Sequence, residues 1–368
     1  MSRTILAHEW LEPTGGSENT FAEMVSALPD ARIECLWNNA ATRFPNAHES
    51  FLARTPTRDR KALSMAFMRR AWNQVDLTGV DRVIASSHAM SHHLAGRAAQ
   101  AGLTAHAYVY SPARYVWTPS LDARGQSGMA RVARPLFKEM DRRGLHPDVN
   151  YIAISKYVAE RMRKTWRVDA SVIYPPVNTE GISSVAKWAD RLEGRETEII
   201  DSLPSTFILG ASRLIEYKRL DAVIAVGQEL GLPVVIAGSG PFAGTLKAIG
   251  DASPVPVQFV GRLSDAALYA LYQKTTLFVF MAIEDFGIMP IEAMSLGTPT
   301  LVRDQGGARE VADLVGGVVF ANPDHRRELK SAAEAAIGRD VPPADRIRGL
   351  FSRAKFQSDL LDALRSGS

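Results

Sequence analysis

Short apolar runs rich in valine and isoleucine alternate along the chain with stretches whose apolar residues recur every three to four positions. The runs predict buried strands and the stretches predict helices packed on them, a pattern of parallel sheets with crossover helices. In the first half, strands are predicted at 4–8, 32–37, 81–85, 105–110, 151–154 and 171–174. The clearest helix there carries Phe21, Met24, Val25 and Leu28 on one face and stops before Pro29. Two adjacent prolines in Tyr174-Pro175-Pro176-Val177-Asn178 end regular structure, and the stretch to Pro204 is polar and weakly patterned, which predicts a domain boundary. A second series follows, with strands at 207–211, 234–237, 257–260, 276–281, 300–302 and 318–320, a helix over 220–230 and a last helical segment over 346–364. Two doubly wound α/β domains result, 1–174 and 175–345. Ligands of such sheets sit beyond the carboxyl ends of the strands, so a cleft between the domains is the expected site.

Composition narrows the class. With 46% hydrophobic and 23% charged residues in 368, the chain is an ordinary globular protein with ample core. Forty-three Lys and Arg against 40 Asp and Glu give +3, too little to argue for a nucleic-acid partner. Cys35, in Glu34-Cys35-Leu36, is the single cysteine, which excludes disulfides and thiolate metal sites and predicts a core position. Thr4-Ile5-Leu6-Ala7-His8 meets polar residues without a basic and long apolar leader, and no stretch of about 18 apolar residues occurs, so a cytoplasmic protein without a spanning helix is expected. Arg54, Arg58, Arg60, Lys61, Arg69 and Arg70 interleave with Leu63, Met65, Phe67 and Met68. This segment reads either as a core-packed helix with a solvated basic face or as a contact with the inner face of a membrane.

Three segments carry chemistry. In Glu284-Asp285-Phe286-Gly287-Ile288-Met289-Pro290-Ile291-Glu292-Ala293-Met294-Ser295-Leu296-Gly297, Pro290 suits a first helical turn and Gly297 a left-handed cap, so a short helix begins near Met289. Amides of Phe286, Gly287 and Ile288 at its start form an anion site, while Glu284 and Glu292 suit sugar hydroxyls; alternatively the two glutamates only offset the helix dipole. Arg213 follows the first strand of the second domain and Lys218 opens the next helix, where the two cations either grip a diphosphate or pair with Glu216 and Asp221. Gly15-Gly16 makes a tight turn before a helix opening near Ser17.

Together and in this order, these segments resemble the retaining family 4 of glycosyltransferases with the two-domain GT-B architecture. The resemblance spans nearly the whole chain. It rests on Gly15-Gly16 with His8-Glu9-Trp10 ahead, on Tyr108 to Trp117, on Tyr174-Pro175-Pro176-Val177 as linker, on Arg213 and Lys218, and on Glu284 with seven residues before Glu292. It implies that Arg213 and Lys218 bind the diphosphate of a nucleotide sugar, that Glu292 holds the ribose and that Glu284 with the amides of Phe286 to Ile288 positions the hexose. Gly15 and Gly16 approach the donor phosphate, Gly238 and Gly240 form a turn at the donor site, and Arg262 and Leu263 border the base. By the same resemblance 346–368 returns to the first, acceptor-side domain. Tyr108-Val109-Tyr110-Ser111-Pro112-Ala113-Arg114-Tyr115-Val116-Trp117 is similar to a segment of bacterial mannosyltransferases, except that Tyr110 stands where those commonly have histidine. Tyr110 is thus either a hydrogen-bond donor to the sugar or a core tyrosine. Ser111, Arg114 and His88 are further candidate contacts, but none of His88, His92 and His93 is read as catalytic, and structural or surface roles suit all three. The implied donor is GDP-mannose, or else a UDP-linked hexose or N-acetylhexosamine, and the implied acceptor a glycan, a lipid-linked glycan or a small molecule. Attack comes from the same face with the leaving diphosphate as base, without a cofactor or metal.

Other classes compete. Gly238-Ser239-Gly240-Pro241-Phe242-Ala243 after an apolar run formally satisfies a dinucleotide fingerprint. A strand and helix precede it, however, and Val257-Gln258-Phe259-Val260 leads to Gly261-Arg262 rather than to an acid, which disfavours an NAD(P)-dependent oxidoreductase. A non-catalytic sugar-nucleotide binder sits poorly with intact Arg213, Lys218, Glu284 and Glu292, and an epimerase lacks an evident acid–base pair.

Overall fold

In a computed structural model that describes residues 3–119, 128–316 and 319–366, the apolar runs become strands, those in the middle of each sheet buried on both faces, as parallel sheets require. The chain divides into two units, Met1–Pro176 with Arg353–Ser368 and Val177–Ser352. The first holds β1 (Thr4–Leu11), β2 (Arg32–Asn38), β3 (Ala47–Glu49), β4 (Arg82–Ser87), β5 (Thr104–Val109), β6 (Val149–Ala153) and β7 (Ser171–Val172). They pair in parallel in the order β3-β2-β1-β4-β5-β6-β7. The second holds β8 (Ile208–Ala211), β9 (Val234–Ala237), β10 (Val257–Gly261), β11 (Leu277–Phe280), β12 (Thr300–Arg303) and β13 (Val319–Ala321), again parallel, in the order β10-β9-β8-β11-β12-β13. Each sheet therefore reverses its winding once, between β1 and β4 in the first unit and between β8 and β11 in the second. The loops leaving those paired strands diverge to opposite faces and leave a crevice at the carboxyl edge.

Periodicity accounts for the layers. Helix Leu220–Leu230 buries Leu220, Val223, Ile224 and Val226 against Ile208, Val234, Ile236, Leu277 and Val279. Helix Gly16–Ala27 buries Phe21 and Met24 and ends at Leu28, before Pro29. Cys35 is buried, and desolvation pushes its thiol far above the ordinary value.

The structure departs from the sequence pattern where local signal is weak. β3 is short and exposed and carries no apolar run. The polar stretch after Val177 contains helices Thr179–Ser183 and Arg195–Asp201. The single helix expected over 346–364 is two, Ala344–Phe351 in the second unit and Arg353–Ser366 in the first, parted at Ser352 by extended backbone. The units divide after Pro176 and Ser352 rather than after 174 and 345. Val318, which opened the last expected strand, lies outside the described residues. In helix Lys61–Asn73 the basic segment is split: Met65 and Met68 are buried, whereas Leu63 (57%) and Phe67 (47%) face outward.

Helix Arg353–Ser366 is fastened to the first unit by Phe356, buried edge-on to Tyr108 at 5.8 Å, and by Gln357, which donates to Glu23 at 2.9 Å. Phe356→Ala is expected to destabilise this unit by about 3–5 kcal/mol, measured by urea unfolding, because the vacated ring volume cannot be refilled by its neighbours.

Candidate functional site

The winding reversal of the second sheet sets residues 212–218, after β8, beside residues 281–287, after β11. Lys218 Nζ meets the Glu284 carboxylate there, with side chains only 10% and 23% exposed. Lys218 does not open the following helix as expected. It ends a 3₁₀ turn, Glu216–Lys218, and Arg219 in left-handed backbone separates that turn from helix Leu220–Leu230. Arg219 takes Asp221 (3.2 Å) and Asp324 (2.8 Å), so the alternative pairing of Lys218 with Asp221 is not the one formed. Arg213 is exposed and makes no ion pair among the described residues, which leaves a guanidinium open to an anion at the end of β8.

Backbone packing fixes both loops. A side chain on Gly238, at φ +134°, would put Cβ 1.8 Å from the Ser212 carbonyl oxygen, and one on Gly240 would reach the Leu214 carbonyl oxygen at 2.4 Å. The β9 loop is thus laid directly on residues 212–214, with Ser239 accepting from Leu214 N at 2.9 Å. These glycines shape the platform of Arg213; the close approach that demands them is to the chain itself. Gly238 N in turn donates to the Gly261 oxygen at 2.7 Å, so Arg262, exposed, and Leu263, half-buried, lie along the same edge. On the other side, Gly307 N donates to the Glu284 oxygen at 2.7 Å. The Gly306-Gly307 turn after β12 was not singled out from sequence, although a glycine pair following an apolar run was the available signal.

Helix Ile288–Ser295 starts at Gly287, whose φ of +156° and approach to Ala308 Cα leave no room for a side chain. Pro290 sits in the first turn, where an amide would lack an intrahelical partner. The end is a Schellman motif: Thr298 N donates to Ala293 O (3.1 Å) and Gly297 N to Met294 O (3.0 Å). First-turn amides of Ile288 and Met289 then face the carboxyl edge with the positive end of the dipole. Glu292, one turn on, accepts from the Tyr269 hydroxyl at 3.4 Å. Burial, and then the charge of Asp265, pushes its carboxyl up to about 8, against the opposing hydrogen bond from Tyr269.

The first unit assembles a different set at its own reversal, around the ends of β1, β4 and β5. Gly15 faces the Glu18 carboxylate, which Ser17 also contacts at 2.7 Å, as helix Gly16–Ala27 begins. Tyr110 shares a 2.9 Å bond with Ser86 Oγ and donates to the Ser17 carbonyl at 3.0 Å, and burial drives its phenol far above the ordinary value. Its hydroxyl is committed to the protein, as in the core reading. Ser111 is buried and accepts from Arg161 at 2.7 Å, which makes it an internal link rather than a ligand contact. Arg114 begins the helix Arg114–Trp117 and is half-buried. His92 and His93 are core residues, His92 Nε2 donating to the Asp141 carbonyl at 2.9 Å.

Glu9 was not proposed as a site residue, yet it is the hub of this edge. Its buried carboxylate accepts from the amides of Ser91 (2.8 Å), Ala89 (3.0 Å) and His88 (3.2 Å) and from Ser87 Oγ (3.2 Å), and lies 3.0 Å from His88 Nδ1. Burial works to raise its carboxyl, but the imidazole and the amides prevail and hold it well below the carboxylate range. His8 is lowered to about 3, first by burial and then by His88, and is therefore neutral near pH 7. The ligand atoms of His8, Glu9 and His88 lie within 4.8 Å of one another. Glu9 Oε1 already accepts from Ser87 Oγ and the amides of His88, Ala89 and Ser91, and Oε2 from the His88 amide, so the carboxylate is spent on the protein rather than vacant for a metal.

Two parallel sheets, each with helices on its faces and one winding reversal, define a class, the doubly wound α/β proteins. The description Glycosyltransferase Family 4 matches residues 14–180 and Glycosyl transferases group 1 matches residues 198–337, most of the chain between them. The chain belongs to the family 4 glycosyltransferases. It is 27% identical over 190 residues to the O-antigen chain mannosyltransferase RfbU of Salmonella typhimurium (49% of each chain). Over 203 residues it is 27% identical to the GDP-mannose-dependent alpha-(1-6)-phosphatidylinositol monomannoside mannosyltransferase of Mycobacterium tuberculosis (51% of this chain, 52% of that one). The chain spans about half the length of these curated relatives. The crystal structure of Anabaena Alr3699/HepE in complex with UDP superposes with a TM-score of 0.72 at 14% identity over the whole of both chains, a likeness of fold.

The raised Glu292 carboxyl has a consequence for stability. Folding favours its protonated form, so its contribution is fully present below the ordinary value of 4.5 and is lost as pH rises through about 8. Glu292→Gln, neutral throughout, is expected to gain thermal stability relative to the parent as pH goes from about 5 to 8, in paired melting curves.

Proposed function

We propose that the chain transfers a hexose, mannose from GDP-mannose in the first instance, from a nucleotide sugar to a hydroxyl of an acceptor. The observation that carries this reading is the meeting of Lys218 with Glu284 beside the open Arg213 and the first-turn amides of helix Ile288–Ser295. Breaking the bond between the anomeric carbon and the diphosphate leaves growing negative charge on the phosphate. Lys218, Arg213 and the oriented amides stabilise that charge, while Glu284 accepts hydrogen bonds from sugar hydroxyls and Glu292 from the ribose. Preorganised charges of this kind are worth most where they are partly withdrawn from water.

GDP-mannose is favoured by the names of the two curated relatives. A UDP-hexose is the second reading, because the fold neighbour binds UDP. The transfer retains configuration and needs no metal or other cofactor. Leu63 and Phe67, exposed on a helix with Arg69 and Arg70 also exposed, favour a lipid-linked acceptor met at an anionic surface. No helix among the described residues is long and apolar enough to cross a membrane.

Thermal shift against GDP-, UDP- and ADP-sugars tests the donor: a ligand at 100 times its Kd adds about 2.7 kcal/mol of stability. Stabilisation by none of them overturns the reading. Lys218→Ala and Glu284→Ala are each expected to lower turnover by about 10²-fold or more while circular dichroism stays that of the parent. Parental turnover by either folded variant excludes the role given to the pair.

A further inference from the structure

The large apolar side chains left exposed are not scattered over the molecule. Among the described residues they are Leu63 and Phe67 on helix Lys61–Asn73 and Val132 (84%) and Leu136 (61%) on helix Gly128–Arg142. Each pair is spaced i, i+4, so each makes a stripe on a single helix face. On the first helix Leu63 and Phe67 share that face with Ala66 and Arg70, both exposed, while Ser64, Met65, Met68 and Trp72 are buried on the other. On the second, Val132 and Leu136 share it with the exposed Pro135, and Asp141 on the opposite side is buried, accepting from the indoles of Trp117 (2.7 Å) and Trp166 (2.6 Å). An apolar residue exposed singly needs no explanation; four gathered in two helical stripes do.

Both stripes belong to the first unit and to one of its layers. From β3 to β4, β4 to β5 and β5 to β6 the chain advances in one direction across the sheet, so right-handed crossovers put the intervening helices on the same face. Helix His92–Gln100 lies between them there and is buried along nearly all its length. Its Arg97 donates to the carbonyls of Trp72 (3.1 Å) and Val75 (2.6 Å) at the end of one neighbour, and its His92 to the Asp141 carbonyl (2.9 Å) of the other. The His93 ring leaves no room for a side chain on Gly144, just past the second helix. The two flanking helices thus supply the surface over it.

Cations border the stripes. Helix Lys61–Asn73 contains Lys61, Arg69 and Arg70 and no acid. Arg69 and Arg70 are exposed, as is Arg131 beside Val132, and none of the three makes an ion pair among the described residues. Glu139, the acid on the exposed side of the second helix, is matched by Arg143 at 3.1 Å.

We propose that these two helices form a docking surface for an anionic lipid leaflet. Leu63, Phe67, Val132 and Leu136 enter the boundary between headgroups and acyl chains, and Arg69, Arg70 and Arg131 meet lipid phosphates. A leaflet of acidic lipids satisfies the apolar stripes and the cations together. A second copy of the chain suits the face less well, because a twofold interface centred on it sets Arg69, Arg70 and Arg131 against their own counterparts. The inference deepens the lipid-linked acceptor reading above and rests on it for its purpose, whereas the binding itself needs neither donor nor acceptor.

The test is co-sedimentation of the full chain, without a sugar donor, with vesicles of phosphatidylcholine and phosphatidylglycerol at about 3:1 and with vesicles of phosphatidylcholine alone, in about 0.1 M salt. Binding to the acidic vesicles is expected, at least about tenfold weaker to phosphatidylcholine alone and weakened by about 0.5 M salt. Leu63→Ser with Phe67→Ser, and Val132→Ser with Leu136→Ser, are each expected to weaken it about tenfold or more, and Arg69→Gln with Arg70→Gln about 10- to 30-fold. All six side chains are exposed, so circular dichroism and melting stay those of the parent. Failure of the parent to bind acidic vesicles overturns the proposal, and so does parental binding by any of the three double variants. Parent dimers in light scattering that the apolar substitutions disperse, without vesicle binding, assign the face to a second copy instead. A parental donor-induced thermal shift in the variants keeps the transferase reading standing whatever the vesicles show, and a chain that binds acidic vesicles but is stabilised by no donor loses that reading alone.

Discussion

The Lys218–Glu284 pair is the contact on which the rest of the second unit turns. Neither residue is near the other in sequence, and a single 3₁₀ turn, Glu216–Lys218, is the regular structure that holds Lys218. They meet because β8 and β11 are neighbours at the point where the winding of the sheet reverses. Partly withdrawing an ammonium and a carboxylate from water is costly unless each is matched, and the match here comes from topology rather than from a helix-surface spacing. The glycines of the β9 and β12 loops then act as spacers. They let neighbouring backbone close on residues 212–214 and 284–286 and hold the two charges in register.

Much of this was legible in the chain. Apolar runs located twelve of the strands approximately, because parallel strands buried on both faces must be continuously apolar. Pro290 and Gly297 announced a short helix between an acidic loop and a left-handed cap, and the helix is there. What was not legible depends on distance in sequence. β3 lacks an apolar face, so its pairing with β2 leaves no local trace. The break at Ser352 is invisible in periodicity, since both flanking helices are amphipathic and only the partition of their buried residues between two units separates them.

Candidate residues sorted in the same way. Arg213, Lys218 and Glu284 lie on loops and Glu292 in the short helix at the carboxyl edge, and those positions were readable from strand and turn signals. Gly238 and Gly240 were readable as obligatory glycines, but not as glycines required by the adjacent carbonyls of Ser212 and Leu214. Ser111 looked like a contact because it stands beside Tyr110; its hydroxyl is spent on Arg161, fifty residues away. Glu9 was hidden for the same reason, with partners 78 to 82 residues downstream.

The two units apply one topology to opposite electrostatic ends. At the reversal of the second sheet, exposed or partly exposed cations and helix amides offer positive potential, which suits a diphosphate. At the reversal of the first, the fixed group is a carboxylate, and the amides that would otherwise be open to an anion are already taken by Glu9. At the start of helix Gly16–Ala27 the Glu18 carboxylate lies against Gly15 and accepts from the Ser17 hydroxyl. Amides already taken by the carboxylate of Glu9 have little left with which to attract a phosphate.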